Sequence, residues 1–525
     1  MTINKARILW VDDEIDILTA HIRFLNKRGY EVDSINNGHD ALYHLQKQTY
    51  DIIFLDQAMP GLDGLETLEE IRKINPQIPV VMITKNEEEH LMAEAIGKEI
   101  NDYLTKPVNP SQILLVLKKL LESKNIKKNL AGKNFSKLFK DITDRLETPL
   151  TSNDWYEIYL QITLFELEMS QIMNDEIKES FHGLIETCNE YFGHFIEENY
   201  LTWLEEQKQP VLSNKVFSTF VSPFIKKGQK VIMMLIDCLR LDQWYAISEI
   251  LSEYFNIEQH HYYSILPTST AYSRNSLFSG LLPIDIYSRY PQYWEVLKDE
   301  RSVNKYEKEL LREQCLRLGL DKAQENIFYL KIINEEKVEG LIKHYEKNIH
   351  KYQLSAFVYN FVDLLSHNRS HSDLIREIST DESAFRSVTV SWFQHSGMYT
   401  LLKHLSEMKD ICIVLTTDHG SILARKPSKI IASWNATSGL RYKFGHALET
   451  KPKEALVIKN LTQFKLPKEE DKPECILAKS DYYLTYNIGF KNFIENYKPS
   501  FIHGGISLQE MILPIAVMSS KKHNA

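Results

Sequence analysis

Two sets of residues in this 525-residue chain have the types and the spacing to do chemistry. The first is a set of carboxylates at the ends of apolar runs: Asp12 and Asp13 close Arg7–Val11, and Asp56 closes Asp51–Leu55. In an open α/β sheet the carboxyl ends of parallel strands meet at one edge, so the three carboxylates can converge there. A hard cation such as Mg2+ takes such oxygen ligands. Thr84, ending Val80–Thr84, and Lys106, just past Asp102–Leu104, add a hydroxyl and an ammonium to the same edge. Together these groups can stabilise an acyl phosphate on Asp56. A single aspartate reads as a loop residue or a helix cap; five positions in register do not.

The second set mixes carboxylates with imidazoles. Asp237 closes Lys230–Ile236, Asp363 closes Ser355–Val362, and Asp418-His419-Gly420 closes Ile411–Thr416. His367 follows Asp363 by four residues, and His503-Gly504-Gly505 precedes the apolar run Ile512–Val517. Such donors suit Zn2+ or Mn2+ better than Mg2+. Two ions about 4 Å apart clamp the attacking and leaving oxygens of an in-line phosphoryl displacement. Leu266-Pro267-Thr268-Ser269-Thr270 brings hydroxyls directly after the run His261–Leu266, and a metal-bound threonine is an activated nucleophile. Arg274 is placed to meet a phosphate oxygen as a planar fork donor. Arg441-Tyr442-Lys443-Phe444-Gly445-His446 is a candidate substrate-facing patch, since Arg, Lys and aromatics suit a phosphodiester with a stackable base. Each piece also has a plainer reading. Asp-His-Gly is ordinary turn chemistry, Asp363 and His367 fit a helix-surface pair, and His503-Gly-Gly fits a turn before Ser507-Leu-Gln-Glu510, a helix capping box. The segment at 441–446 fits a surface turn. The order of the whole set, each member at a strand or loop end, outweighs the separate plain readings.

The elements that must position these groups follow from hydrophobic period. Arg7–Val11, Glu31–Ser34, Asp51–Leu55, Val80–Thr84 and Asp102–Leu104 read as short strands, each followed by an amphipathic segment, a five-unit parallel α/β pattern. The lysines at 124, 127, 128, 133, 137 and 140 form a basic stretch that reads as a solvated helix or linker. Residues 151–206 repeat apolar positions at three and four, through Trp155, Ile158, Ile162 and Phe165 and again through Phe181, Leu184, Cys188 and Phe192, and predict a helical bundle. After Pro210 the strand–helix alternation returns. The near-continuous hydrophobicity of its four main runs predicts strands buried on both faces of a mostly parallel sheet.

Composition narrows the class. A chain 43% hydrophobic and 25% charged is globular, and its length calls for two to four domains. The net charge of −9 argues against a protein that coats duplex DNA. Five scattered cysteines without C-x-x-C spacing fit a reducing cytoplasm. No apolar run approaches the roughly 18 residues of a spanning helix, so neither export nor membrane insertion is expected.

With the motifs in hand, Trp10-Val11-Asp12-Asp13-Glu14, Phe54-Leu55-Asp56 through Gly64, Ile83-Thr84 and Tyr103-Leu104-Thr105-Lys106-Pro107 resemble the receiver domains of two-component systems across residues 5–122. The resemblance implies a flavodoxin-like (βα)5 fold with Asp56 as phosphoacceptor and Mg2+ on Asp12, Asp13 and Asp56. It also implies Thr84 and Tyr103 as a switch pair, with Lys106 on the phosphoryl oxygen. Lys85 departs from the pattern, where receivers carry a small residue, and bears on phosphate lifetime. Leu235-Ile236-Asp237-Cys238-Leu239-Arg240, Pro267-Thr268-Ser269-Thr270, Asp363-Leu-Leu-Ser-His367, Thr416-Thr417-Asp418-His419-Gly420 and His503-Gly504-Gly505-Ile506-Ser507 resemble the alkaline phosphatase superfamily, in particular its PglZ branch. A receiver (1–122), a helical-bundle linker (123–206) and a PglZ domain (207–525) in one chain resemble the response regulators associated with type IX secretion.

That resemblance implies one Zn2+ on Asp363, His367 and His503, a second on Asp237, Thr270, Asp418 and His419, and Thr270 as nucleophile. It implies a phosphodiesterase acting on linear or cyclic oligonucleotides, homodimerisation driven by receiver phosphorylation, and a cognate sensor histidine kinase. An extracytoplasmic-function sigma factor and type IX secretion components are its further implied partners. The alternative is a signalling scaffold whose metal site stabilises a protein-binding domain. A DNA-binding transcription factor ranks last, for want of a recognition helix and a basic face.

Overall fold

The computed structural model describes residues 6–76, 78–85, 100–205, 210–294, 305–333, 338–369, 372–432, 436–468, 472–486 and 490–523. The amphipathic segment expected after the fourth strand falls at 86–99, outside the described residues, as do the side chains of Lys124, Lys127 and Lys128. Lys133, Lys137 and Lys140 are exposed, which fits a solvated helix face. The chain divides into two compact units, Met1–Asn134 with Ile172–Asn174, and Phe135–Gln171 with Asp175–Ala525. Among the described residues no helix is long and apolar enough to cross a membrane.

The first unit holds a five-stranded sheet in the order Glu31–Ile35, Arg7–Val11, Ile52–Asp56, Val80–Thr84, Asp102–Thr105. All four pairings are parallel. Alternate residues of the central strands face opposite sides. Leu9, Val11, Ile53 and Leu55 pack with Ala41, Leu65, Leu68 and Ile71 of two helices, while Ile8, Trp10, Ile52 and Phe54 pack with Leu25, Ile113, Val116 and Leu117 of others. Helices on both faces explain why these strands read as unbroken apolar runs. Each such buried Leu or Ile stabilises the fold by about 1.5–3 kcal/mol relative to exposure. The helix Gly64–Ile74 starts on a capping box between Asp63 and Glu66.

The second unit is built on a six-stranded sheet in the order Phe255–Tyr263, Ile512–Ser520, Ile411–Thr416, Lys230–Ile236, Leu354–Tyr359, Ile327–Ile332. The last four are mutually parallel. Ile512–Ser520 runs antiparallel to Ile411–Thr416 and to Phe255–Tyr263. Five of the six strands therefore point the same way. The reversed strand has the opposite consequence at its start: Ile512, paired with Tyr263, lies at the edge where the others end. Segments that follow Ile236, Tyr359, Thr416 and Tyr263, and the segment that precedes Ile512, are all delivered to one edge.

One boundary differs from the expectation. The strand anticipated over Ser355–Val362 stops at Tyr359, and Phe361 begins a helix to Arg369. Asp363 thus sits in the first turn of that helix, with His367 one turn on. Val362 and Leu365 are buried on the inner face of this helix, while Phe361 is half-buried and Leu364 is exposed.

The linker helices Ser152–Met169 and Asp175–Glu205 form as the period predicts, and the helix Ser123–Leu146 precedes them. They do not make a separate body. From Phe135 on they belong to the same compact unit as the large sheet. Tyr263 donates its hydroxyl proton to the Ser152 carbonyl at 2.5 Å, Leu266 N donates to the Tyr200 hydroxyl at 2.8 Å, and Arg386 meets Glu166 at 3.0 Å. All five cysteines are buried and free.

Candidate active site

At the edge of the first sheet, Asp12 and Asp56 are buried and Asp13 is exposed, with ligand oxygens of all three within 4.8 Å of one another. Lys106 Nζ lies 2.9 Å from Asp12 Oδ2 and 2.9 Å from Asp56 Oδ2. Burial pushes the Asp56 carboxyl up and Lys106 opposes this, while Asp12 and Asp13 push it further up. A cation held by the three carboxylates would relieve that repulsion. Asp56 is the last residue of its strand. Thr84 is buried and Tyr103 is 42% exposed. Lys85 pairs with Glu14 at 3.2 Å.

At the edge of the second sheet the structure brings together two clusters. Asp363, His367 and His503 form one, and Asp237, Asp418 and His419 the other, each with ligand atoms within 4.8 Å. The clusters adjoin, because the His419 and His503 rings stack with centroids 4.0 Å apart. Two buried oxygens, Asp237 Oδ1 and Asp363 Oδ1, accept no hydrogen bond. Unsatisfied carboxylate oxygens beside imidazole nitrogens fit divalent cations of the Zn2+ type. The first cluster lies toward solvent, with the His367 side chain 59% exposed. The second is fully buried. Burial opposes ionisation of Asp363, yet His367 and His503 outweigh it and hold the carboxyl well below its usual range. Burial lowers His419 to about 4, so it is a neutral imidazole with a lone pair to give.

Thr270 opens the helix Thr270–Ser279, and its Oγ1 lies 2.9 Å from His419 Nε2. Its approach is fixed by Thr268, whose hydroxyl donates to the Gly505 carbonyl at 2.8 Å and accepts from Gly504 N at 3.1 Å. The threonine loop and the histidine loop are therefore tied to each other. Gly504 has φ +119°, and a Cβ there would meet the Tyr442 ring at 2.3 Å. A Cβ on Gly420 would lie 1.9 Å from the Gln509 carbonyl, so the glycine of Asp-His-Gly serves packing as well as turn geometry.

Three sequence expectations are corrected here. Arg274 does not face a substrate phosphate: it is fully buried, donating from Nε to Asp418 at 2.8 Å and pairing with Asp237 and with Glu307, the last at 3.4 Å. Its fork lies behind the ligand carboxylates and holds two of them in place. Arg441 and Lys443 do not form a substrate surface either, being 1% and 2% exposed. Arg441 pairs with Glu510 at 2.5 Å and donates to the Tyr482 carbonyl. Lys443 donates to the Thr437 carbonyl at 3.2 Å over the Tyr486 ring. Only Tyr442 and His446 of that segment escape burial.

Several residues of the site escaped sequence reading. Glu510 accepts from Gly505 N at 2.9 Å, from Arg441 and from the Ser507 hydroxyl at 2.6 Å, and so anchors the loop that carries His503. The Ser507–Glu510 spacing was visible, and Ser507 does cap the helix Leu508–Met511, but the glutamate side chain is spent on the histidine loop. Asn360 donates to Asp237 Oδ2 at 3.0 Å, and Glu307 receives Arg274, Lys331 and Tyr329. No local signal marked either one.

Comparison with known proteins agrees with this layout. Residues 216–518 match the family described as the PglZ alkaline phosphatase-like domain of the BREX system, residues 8–118 the response regulator receiver domain, and residues 125–204 the PorX response regulator linker domain. The chain is 35% identical over 118 residues to the transcriptional regulatory protein ResD of Bacillus subtilis, covering 22% of this chain and 49% of that protein. It is 36% identical over 121 residues to the transcriptional regulatory protein ZraR of Escherichia coli, covering 23% and 27%. The chain thus spans half or less of the length of these relatives. Among solved structures, the chemotaxis protein CheY4 of Vibrio cholerae is 31% identical, with 22% of this chain and 99% of that chain covered and a TM-score of 0.22. The response regulator TrrA of Thermotoga maritima, solved with Mg2+ and BeF, is 34% identical over 22% of this chain and 99% of its own, with a TM-score of 0.21. The PglZ match spans more than half of the sequence, and with the receiver and linker matches ahead of it the chain belongs to the PglZ alkaline phosphatase-like family, as a PorX-type response regulator.

Proposed function

We propose that this response regulator is a zinc-dependent phosphodiesterase that hydrolyses linear or cyclic oligonucleotides under the control of phosphorylation at Asp56. The observation that carries the reading is Thr270, whose hydroxyl stands 2.9 Å from His419, a member of the cluster Asp237, Asp418 and His419. A scaffold would use the ligands but has no use for a hydroxyl at that point.

Asp363, His367 and His503 would hold one Zn2+, and Asp237, Asp418 and His419 with Thr270 the other. When bound, the pair supplies charge stabilisation at the attacking and leaving oxygens and lowers the cost of deprotonating the threonine. Thr270 Oγ forms the bond to phosphorus as the bond to the leaving nucleoside oxygen breaks, and the leaving oxygen takes up a proton. Water then cleaves the nucleotidyl-threonine ester and returns a proton to the hydroxyl. Arg274 keeps Asp237 and Asp418 oriented, and the Glu510–Arg441 pair keeps His503 in register.

In the receiver, Asp12, Asp13 and Asp56 would hold Mg2+, Lys106 would meet the phosphoryl oxygen, and Thr84 and Tyr103 would report the charge. A sensor histidine kinase is the phosphoryl source. The wider reading places the protein in the cytoplasm, with phosphorylation-linked homodimerisation, an extracytoplasmic-function sigma factor and type IX secretion components as partners.

The test is Thr270→Val, with zinc content measured beside turnover of a chromogenic phosphodiester and of short oligonucleotides. Two zincs per chain with turnover reduced about 1,000-fold is the expected result. Full turnover by the variant overturns the nucleophile, and zinc bound without turnover in the unmodified protein moves the reading to the scaffold.

A further inference from the structure

Two polar side chains stand on the buried face of the linker helix Asp175–Glu205. Asn189 and Tyr200 are each 1% exposed, among Leu184, Phe192, Ile196 and Trp203. Eleven residues make three helical turns, so the two lie on one face about 16 Å apart along the axis. Burying an amide or a phenol in an apolar face is costly unless its polar atoms are bonded. Both are bonded, and each to a loop of the catalytic site.

Tyr200 Oη accepts from Leu266 N at 2.8 Å, and its ring stacks on Phe464 with centroids 5.8 Å apart. Leu266 begins the segment Leu266-Pro267-Thr268-Ser269-Thr270. The tyrosine thus fixes the start of the chain that carries Thr270, while the Thr268 hydroxyl fixes its middle to Gly504 and Gly505. Asn189 Oδ1 accepts from Leu508 N at 2.8 Å, and its Nδ2 donates to Gln509 Oε1 at 3.2 Å. Leu508 N is one of the N–H groups that a helix start leaves without an internal partner. The helix Leu508–Met511 backs both metal clusters. Its Glu510 side chain accepts from Gly505 N at 2.9 Å, in the His503 loop, and its Glu510 carbonyl accepts from Gly420 N at 3.3 Å, in the Asp418-His419-Gly420 turn.

We propose that Asn189 and Tyr200 are positioning residues of the catalytic site: through Tyr200 the linker helix places the nucleophile loop, and through Asn189 it places the loops of the metal ligands. The inference rests on the reading of Thr270 and the two clusters as a zinc site. For packing alone leucine and phenylalanine would serve at these positions, since cores accept apolar residues of like volume. The amide and the hydroxyl instead answer N–H groups of Leu508 and Leu266, residues at most 1% exposed, which without them would be buried and unpaired. One helix holding both loops keeps their separation fixed, and turnover depends steeply on such placement.

The test uses the full chain and measures stepwise zinc constants by competition with a chromogenic chelator, beside kcat and KM on a chromogenic phosphodiester and the melting temperature. Tyr200→Phe, which removes a single oxygen, lowers kcat about 10–100-fold with KM unmoved and two zincs retained. Asn189→Leu weakens zinc binding roughly 10-fold, a readout that needs no turnover. Ile196→Val, between the two on the same face and with no polar atom to offer a loop, trims the packing and leaves kcat and the zinc constants as they were. Unchanged kcat and zinc constants in both polar variants overturn the proposal. Equal losses in Ile196→Val at an equal fall in melting temperature make the helix a general support, and overturn it as well. If the unmodified chain binds two zincs but turns over no diester, the phosphodiesterase reading falls, while the zinc constants of Asn189→Leu still decide this one.

Discussion

The two units use the same topological device for different chemistry. In each, parallel strands end at one edge and deliver side chains there, yet the acidic edge near Asp56 and the mixed edge near Thr270 differ in donor type, depth and backing. The first offers three carboxylates and a lysine, with Asp13 in solvent. Hard oxygen donors, one of them in solvent, suit a labile ion and a phosphoryl group that must come and go. The second interleaves imidazoles with carboxylates, buries three of its ligands fully and backs two of them with a guanidinium. That arrangement suits tightly held ions. Topology thus supplies the meeting point, and residue chemistry decides what meets there.

The contrast is most exposed to attack through Asp56, the proposed phosphoacceptor. Asp56→Asn abolishes phosphate uptake from a small acyl phosphate in the presence of Mg2+, read by intact mass, and leaves the zinc content of the chain unchanged. Loss of zinc in this variant would make metal binding at the second edge depend on the Asp56 side chain. Metal removal comes next. Dialysis against a chelator abolishes diesterase turnover, Zn2+ or Mn2+ restores it, and Mg2+ at equal concentration does not, because imidazole ligands favour the former ions. Restoration by Mg2+ would make the two edges chemically alike.

A smaller effect is expected behind the ligands. Glu510→Gln leaves Arg441 with an uncompensated buried charge and loosens the loop carrying His503, so stability falls by about 2–4 kcal/mol in denaturant titration and zinc affinity by roughly 10–100-fold. A change confined to turnover, with stability and zinc affinity intact, would instead place Glu510 at the substrate. The smallest effect concerns Lys443, which burial lowers to about 8. A lysine depressed in the folded state contributes stability that is full above its unfolded value and is lost as pH falls toward the folded one. Lys443→Met therefore stabilises the protein by about 1 kcal/mol at pH 7, and the gain fades as pH approaches roughly 10.5. A melting series across that range checks both sign and window.

Much of this architecture was legible before any coordinates. The short strands, and the acidic residues that close two of them, are encoded locally, since a short apolar run and the residue that terminates it are neighbours in sequence. Asp12, Asp13, Asp56 and Lys106 could be assembled from the order of the strands alone. Of the two clusters in the second unit, Asp237, Asp418, His419 and His503 were legible in the same way, because each follows the end of a strand, whereas Asp363 and His367 lie within a helix whose first residues read as strand.

Burial of charge was not legible. Arg274, Arg441 and Lys443 carry cationic side chains that ordinarily face solvent and that suit a phosphodiester, and the expectation that they meet substrate followed from that chemistry. The partners of the two arginines lie far along the chain: Glu307 is 33 residues from Arg274, and Glu510 is 69 from Arg441. No periodicity connects a guanidinium to a carboxylate at such separations. The residue types and element ends of both sites are written in local sequence, because strand and turn propensities act over a few residues. Which charges face outward and which are spent holding the ligands from behind is decided only when the sheet closes, because the free energy of a buried ion pair depends on distances that the linear chain does not carry.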